Sequence, residues 1–133
     1  MVPSIEVSVT RIDSHHWTMG SFICEKVTKP KSKPPDVFIS WLDGDSTFYL
    51  RERNENEFTG LDGDAQVDRI HVGGTSAAVW RIGENAFCKV HAWCEGLELE
   101  ANTIRFITMN ALDVPVPEVV HFGLTEYLIE LFL

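Results

Sequence analysis

Three short strand-like runs separated by glycine-containing turns occupy residues 66–91, and they restrict the fold more than any other stretch. Residues 67–72, 77–82 and 86–91 have the composition and spacing typical of strands. The turn at Gly83 is short, so the second and third runs are expected to be antiparallel neighbours. This stretch therefore predicts a small antiparallel sheet.

A helix is predicted after this sheet, over residues 97–109. Glu100, Ile104 and Ile107 recur there at helical spacing and define one face. The Val-Pro-Val-Pro sequence at 114–117 cannot continue a helix and predicts an extended connection.

Two more strands are predicted at the end of the chain, over residues 119–122 and 127–133, with a turn at Gly123. The second half of the chain therefore has the expected order β-β-β-α-β-β. The final strand, YLIELFL, ends on apolar residues without a polar tail, so the domain is expected to continue beyond Leu133.

The first half of the chain predicts a small antiparallel unit. Its strand patterns fall at residues 4–11, 17–27, 38–41 and 47–50, the last two as a hairpin around Asp43-Gly44-Asp45. A basic, proline-rich connection is expected at 29–35, and a linker or long surface loop at 51–64. We therefore divide the chain into a β-rich extension with an acidic linker, residues 1–65, and a second unit, residues 66–133.

The overall composition is that of a globular chain. Its 133 residues are 44% hydrophobic, enough for a real core. The net charge of -9 argues against nucleic acid as a partner, because phosphate backbones attract Lys and Arg. The sequence has no apolar run near the roughly 18 residues that suggest a membrane helix, and no secretory signal pattern. With three cysteines, a reducing compartment is expected, so we predict a cytoplasmic protein without a membrane partner.

Lys89 is the candidate binding residue of the third run. Alternation places Phe87, Lys89 and His91 on one face of the strand. A lysine in such a strand more often points to water from an edge, but Glu100 on the apolar side of the following helix needs a cationic partner. Glu98 is a competing partner that points about half a turn away. An ion pair with Glu100 would hold the ammonium within reach of phosphate oxygens.

A second candidate element is the turn Gly73-Gly74-Thr75-Ser76. Its backbone N–H groups and two hydroxyls are suited to phosphate oxygens. An ordinary hairpin turn has the same composition, and no Gly-Lys-Ser/Thr follows, so this is not a Walker A loop.

Residues 66–133 resemble the N-terminal lobe of aminoglycoside phosphotransferases and related protein-kinase-like proteins, especially their fungal branch. The resemblance rests on GGTSAAVWRIG, AFCKV, the helix ELEANTIRFI, the connector VPVPEVVHFG and the strand YLIELFL. It covers about half of the chain. It implies an α+β fold: a kinase-like small lobe, with a five-stranded antiparallel sheet and one helix, preceded by an N-terminal antiparallel β extension.

The resemblance also implies a binding site for ATP. Gly73, Gly74, Thr75 and Ser76 would cover the phosphates, Lys89 would contact them, and Glu100 would orient Lys89. Residues 130–133 would approach the adenine-binding hinge. Two departures are Ala77, where protein kinases carry a third glycine, and Phe87, which is larger than the usual alanine.

The catalytic half of such a site is absent from this sequence. The family's His-Gly-Asp type loop and its metal-binding Asp follow the hinge, and this chain ends there. We assign no catalytic residue and no metal ligand, and expect Mg²⁺ only with the missing second lobe. The Asp-Gly-Asp triplets at 43–45 and 62–64 are interpreted as turns. Cys88, His91 and Cys94 are not interpreted as a zinc site, because Cys88 and His91 on one strand face opposite ways.

Two functions remain open from the sequence. The first is the nucleotide-covering lobe of a kinase that phosphorylates a small-molecule hydroxyl, with weak or absent ATP binding and no activity in the isolated fragment. The second is a non-catalytic, pseudokinase-like interaction module or a truncated gene product. The expected partners are a nucleotide, and a second copy or another protein at an exposed hinge face.

Overall fold

The described residues form one α-helix, a short 3-10 helix and two five-stranded antiparallel sheets. The computed structural model describes residues 5–28, 34–54, 56–58, 63–73, 77–92, 100–110, 113, 115–116, 118–124 and 128–133. For residues 38, 100–101 and 119–124 it describes the backbone alone. The expected α+β class, with one helix and antiparallel sheets, is confirmed at this level.

The first sheet comes from the N-terminal half, after a short 3-10 helix at Ile5–Val7. Its strands are β1 (Val9–Asp13), β2 (His16–Met19), β3 (Phe22–Thr28), β4 (Val37–Asp43) and β5 (Ser46–Glu52). They lie in the order β1-β2-β3-β5-β4, and all neighbours are antiparallel.

The second sheet contains the remaining strands. They are β6 (Arg69–Gly73), β7 (Ala77–Ile82), β8 (Ala86–His91), β9 (Val119–Leu124) and β10 (Leu128–Phe132). The helix α1 (Glu100–Asn110) lies between β8 and β9 in sequence and contacts β9. The sheet order is β6-β7-β8-β10-β9, again antiparallel throughout.

The two sheets pack face to face around a single hydrophobic core. Residues of both sheets belong to it, among them Val9, Trp17, Met19, Cys24, Phe48 and Leu50 from the first and Ala78, Trp80, Ile82, Cys88, Val90, Ile129 and Leu131 from the second. Alternation along each strand explains the pattern, since every second residue faces the opposite sheet. The division at residue 65 stays a prediction, while both parts contribute side chains to one core.

The two sheets also repeat one cross-strand arrangement. In the first sheet Trp17 pairs with Cys24, and Cys24 pairs with Leu50. In the second, Trp80 pairs with Cys88 and Cys88 with Leu131. Three equivalent strands of each sheet therefore carry the same Trp-Cys-Leu row towards the core. The sequence pattern indicates no such repeat.

Glycines with positive φ close three of the hairpins. Gly20 (φ 60°), Gly44 (φ 62°) and Gly83 (φ 67°) adopt the left-handed conformation that a Cβ disfavours. The expected turns at Gly44 and Gly83 are confirmed. The single strand expected at 17–27 is wrong: Gly20 divides it into β2 and β3.

Polar contacts join the first sheet to the segment that enters the second. The Asp68 carboxylate accepts a hydrogen bond from Trp17 Nε1 at 3.0 Å and pairs with Arg11 Nη2 at 3.1 Å. Trp80 Nε1 donates to the Ala65 carbonyl oxygen at 2.8 Å. Because buried indole N–H groups need acceptors, these contacts hold the segment 65–68 that leads into β6.

Three further expectations need correction. The strand expected at 4–11 begins with the 3-10 helix, and only Val9 onward is extended. Gly123 lies inside β9, paired with Ile129, rather than in a turn. Residues 51–52 end β5, so they are not part of a linker.

The described residues that follow β5 bend back over the first sheet. Glu57 forms a bidentate ion pair with Arg51. The centroid of the Phe58 ring lies 5.2 Å from that of the His16 ring. Asp64 forms an antiparallel bridge with Arg11 of β1. The contacts of Glu57 and Phe58 lie on the side of the first sheet that faces away from the second, since Arg51 and His16 alternate with core residues. The Asp64 bridge instead pairs backbone to backbone along the β1 edge of the sheet.

Candidate functional site

The face of the second sheet that points away from the first sheet carries the candidate site. Phe87, Lys89 and His91 lie on this face, because the alternate residues Ala86, Cys88 and Val90 are buried in the core. The predicted alternation of β8 is therefore confirmed. Phe87 is 39% exposed, while Lys89 and His91 are half-buried.

Lys89 lies at the middle of the sheet rather than at an edge. β8 pairs with β7 on one side and β10 on the other, so the backbone position of Lys89 is fixed from both sides. Its cross-strand neighbours are Val79 and Glu130. The solvent-edge interpretation of this lysine is thereby excluded, since β8 is a central strand.

Glu130 is a charged residue that the sequence interpretation did not place beside Lys89. It lies in β10 directly opposite Lys89 and has 0% exposure. His91 Nε2 lies 3.0 Å from Glu130 Oε1, within hydrogen-bond distance. The available signal was the sequence YLIELFL, in which one carboxylate interrupts a run of apolar residues. Glu130 lies within β10, the expected last strand, and the expectation that residues 130–133 approach an adenine-binding hinge stays a prediction.

Glu100 begins α1, where the helix was expected. Its side chain is not among the described atoms, so its pairing with Lys89 stays a prediction. Gly74, Thr75 and Ser76 also lie outside the described residues.

Gly73 is the last residue of β6 and pairs with Ala77. A Cβ at Gly73 would meet the Ala77 carbonyl oxygen and His71 Nε2 at 3.6 Å, which are ordinary contacts. Its φ is not positive, unlike that of Gly83. Neither backbone conformation nor packing requires a glycine at this position.

The two Asp-Gly-Asp triplets have structural roles where they are described. Asp43-Gly44-Asp45 forms the β4–β5 turn, and the Asp43 carboxylate accepts a hydrogen bond from the backbone N–H of Glu84. The Asp64 carboxylate accepts hydrogen bonds from the backbone N–H groups of Gln66 and Val67 at 2.8 and 3.1 Å. The hydrogen bonds of Asp64 are local ones typical of aspartate in turns, whereas the hydrogen bond of Asp43 joins residues 41 positions apart.

Cys88 and His91 do not share a face, as the alternation of β8 predicted. Cys88 is buried in the core, and burial raises the pKa of its thiol to about 12. His91 lies on the opposite face, and Cys94 is outside the described residues. Among the residues that the structure describes, no group of three or more His, Cys, Asp or Glu side chains is arranged to hold a metal ion.

A separate open cavity of about 620 Å³ lies on the first sheet. Thr10, Thr18, Arg53, Phe58 and Asp64 contribute to its lining. Thr10 and Thr18 face away from the second sheet, so this cavity is on the opposite side of the protein from Lys89. It is distinct from the candidate site.

Comparison with known proteins gives no relative: no protein-family model, no curated protein and no solved structure matches the chain. Within the described part of the chain, α1 is too short and too polar to cross a membrane.

Proposed function

We propose that this chain is the nucleotide-covering lobe of a kinase-type phosphotransferase related to the aminoglycoside phosphotransferases, and that Lys89 contacts the phosphates of ATP. One observation carries the proposal. Lys89 lies on the third strand of a five-stranded antiparallel sheet, and the helix α1 follows that strand before the fourth. In protein kinases the phosphate-binding lysine occupies the third strand and pairs with a glutamate of the next helix.

The packing of the sheets supports this assignment. The first sheet covers the face that carries Cys88, and Lys89 points to the other side. A half-buried ammonium there is suited to phosphate oxygens, because partial burial strengthens its electrostatic attraction to them. Phe87 on the same face offers an exposed ring beside the lysine.

The turn after Gly73 is the second part of the proposal. Neither a local contact nor a positive φ requires glycine at position 73. A functional role for Gly73 is therefore compatible with its backbone geometry. A glycine-containing loop lets backbone N–H groups approach phosphate closely. We assign this role to Gly73, Gly74, Thr75 and Ser76, and the orienting role towards Lys89 to Glu100.

Phosphoryl transfer itself needs a catalytic base and metal-binding carboxylates. We assign neither to this chain, so its own function is nucleotide binding. Mg²⁺ and the acceptor hydroxyl belong to the second lobe of a complete enzyme. Residues 128–132 of the expected hinge strand are all buried, so these described residues do not favour the alternative of an interaction module with an exposed hinge face.

The proposal places the protein in the cytoplasm. Cys24 and Cys88 are free thiols in the core, as is usual for proteins of a reducing compartment.

Titration of the full chain with ATP, followed by NMR chemical shifts, tests the proposal. Wild type is expected to bind weakly, and Lys89→Met to lose about tenfold or more in affinity, a change of about 1.4 kcal/mol. Lys26→Met is the matched control, because Lys26 is also a half-buried strand lysine but belongs to the first sheet. Equal ATP affinity of wild type and Lys89→Met, or no binding by wild type, would overturn the proposal.

A further inference from the structure

Glu130 is a fully buried carboxylate on an interior strand of the second sheet. Its strand, β10, is hydrogen-bonded to β8 on one side and β9 on the other. Its neighbours along the strand, Ile129 and Leu131, belong to the hydrophobic core on the other face. An ionised carboxylate without partners at such a position costs several kcal/mol, so its partners identify what it does.

His91 is one partner of Glu130. The two residues are diagonal neighbours across β8 and β10, and His91 Nε2 lies 3.0 Å from Oε1. An imidazole N–H donated to this oxygen fixes the orientation of the carboxylate. The side chain of His91 is only 13% exposed, so water competes little for the contact.

Lys89 lies directly opposite Glu130. In an antiparallel sheet, opposite residues project to the same face with Cβ atoms about 4.5–5.5 Å apart. Opposite charges in this arrangement stabilise each other, and more strongly where the site is shielded from solvent. Lys89 is half-buried and Glu130 is fully buried. The two residues therefore lie where the buried part of this sheet face meets its solvent-exposed part.

We propose that Glu130 is a positioning residue for Lys89: its carboxylate, oriented by His91, holds the lysine ammonium where it contacts the nucleotide phosphates. This inference rests on the proposed function. It adds a strand residue, Glu130, to the orienting role that the proposed function assigns to Glu100 of the helix. Backbone pairing on both sides makes β10 a rigid support for that role.

The first test compares ATP with adenosine in titrations of the full chain. Glu130→Gln keeps the shape of the side chain and removes the charge. We expect about tenfold weaker ATP binding with adenosine affinity unchanged, because the displaced ammonium contacts phosphate only. Glu118→Gln, an exposed carboxylate at the end of the same sheet, is the control and is expected to match wild type. Equal losses for ATP and adenosine, or no loss for ATP, would contradict the positioning role.

The second test does not depend on nucleotide. Urea midpoints are measured for Lys89→Met, Glu130→Gln and the double variant. If the two side chains interact, the midpoint shift of the double variant differs from the sum of the single shifts. Additive shifts would overturn the inference even where ATP binds in a Lys89-dependent way.

The two proposals therefore fail differently. Absence of ATP binding by wild type overturns the proposed function, whereas additive urea shifts overturn the Lys89–Glu130 pairing alone. Should Glu130→Gln not fold, Lys89→Met still tests the pair, because it removes the cation opposite a buried carboxylate. Its urea midpoint must then lie below that of Lys26→Met, and equal midpoints would refute the pairing.

Discussion

The carboxylate of Asp43 accepts a hydrogen bond from the backbone N–H of Glu84 at 3.0 Å, which joins the β4–β5 turn of the first sheet to the β7–β8 turn of the second. Asp43 is only 7% exposed. The contact spans 41 residues of sequence and connects the hairpins of two different sheets. It therefore helps to set how the two sheets pack.

Removing this acceptor is expected to destabilise the protein. Asp43→Ala leaves the Glu84 N–H without its partner at a part-buried position, which costs about 1–3 kcal/mol of unfolding free energy. Asp45→Ala is the control, because Asp45 lies in the same turn but is exposed. Urea denaturation followed by tryptophan fluorescence measures both. Equal unfolding free energies for the two variants would show that the Asp43 contact contributes nothing.

Gly83 is packed against the same carboxylate. A Cβ there would lie 2.2 Å from Asp43 Oδ2 and 2.8 Å from Phe48 Cζ, and φ is +67°. Gly83→Ala is therefore expected to cost both the left-handed strain, about 1–2 kcal/mol, and a clash of about 1–3 kcal/mol.

Gly44→Ala separates these two costs. Gly44 has a similar φ of +62°, but nothing lies within 4 Å of its added Cβ. We expect only the strain, so its midpoint for thermal unfolding should fall less than that of Gly83→Ala. A fall as large for Gly44→Ala would indicate that the close approach to Asp43 has no energetic effect.

The Arg51–Glu57 ion pair predicts a dependence of stability on pH. The hydrogen bond from Arg51 lowers the pKa of Glu57 below its ordinary value of 4.5, against a smaller opposing effect of burial. Because the folded-state pKa is the lower one, the stabilisation is fully present above pH 4.5 and is lost as pH falls through the folded value.

Glu57→Gln removes this dependence. At neutral pH it is expected to lower the unfolding free energy by about 1 kcal/mol, and the difference from wild type should shrink on acidification below pH 4.5. Urea unfolding at a series of pH values measures it, with exposed Glu6→Gln as control. A difference that stays constant down to the most acidic value would contradict the lowered pKa.

The two core thiols should react slowly in the folded protein. Burial raises the pKa of Cys88 to about 12 and that of Cys24 well above its ordinary 9.0, so almost no thiolate exists at pH 8. In a Cys94→Ser background, DTNB is expected to label Cys24 and Cys88 only after denaturation. Fast labelling of the native protein at pH 8 would show that the two packed sheets separate readily or that the thiols are accessible.

Local sequence signals predicted much of the second sheet. The strand patterns at 77–82 and 86–91 match β7 and β8, and the helix begins near its expected place. Gly44 and Gly83 marked turns correctly, because a left-handed residue in a tight hairpin favours glycine whatever its surroundings. Gly20 was missed, although Gly20-Ser21 is a turn dipeptide between two strand-like runs.

The candidate site was predicted only in part. Alternation was enough to place Phe87, Lys89 and His91 on one face, since the period of a strand is fixed. It did not indicate which residue faces Lys89 from the next strand. Glu130 is separated from it by 41 positions and by a helix, and no local rule sets the register between β8 and β10.

The sequence by itself determined the local elements: which residues extend, where Gly44 and Gly83 turn the chain, and which side of β8 carries Lys89. Tertiary structure decided the rest. The packing of Trp17 and Trp80 in one core, the ion pair of Glu57 with Arg51, and the cross-strand position of Glu130 opposite Lys89 depend on residues separated in sequence. Such pairings are selected by the burial of whole faces against each other, a property of the assembled sheets rather than of any short stretch.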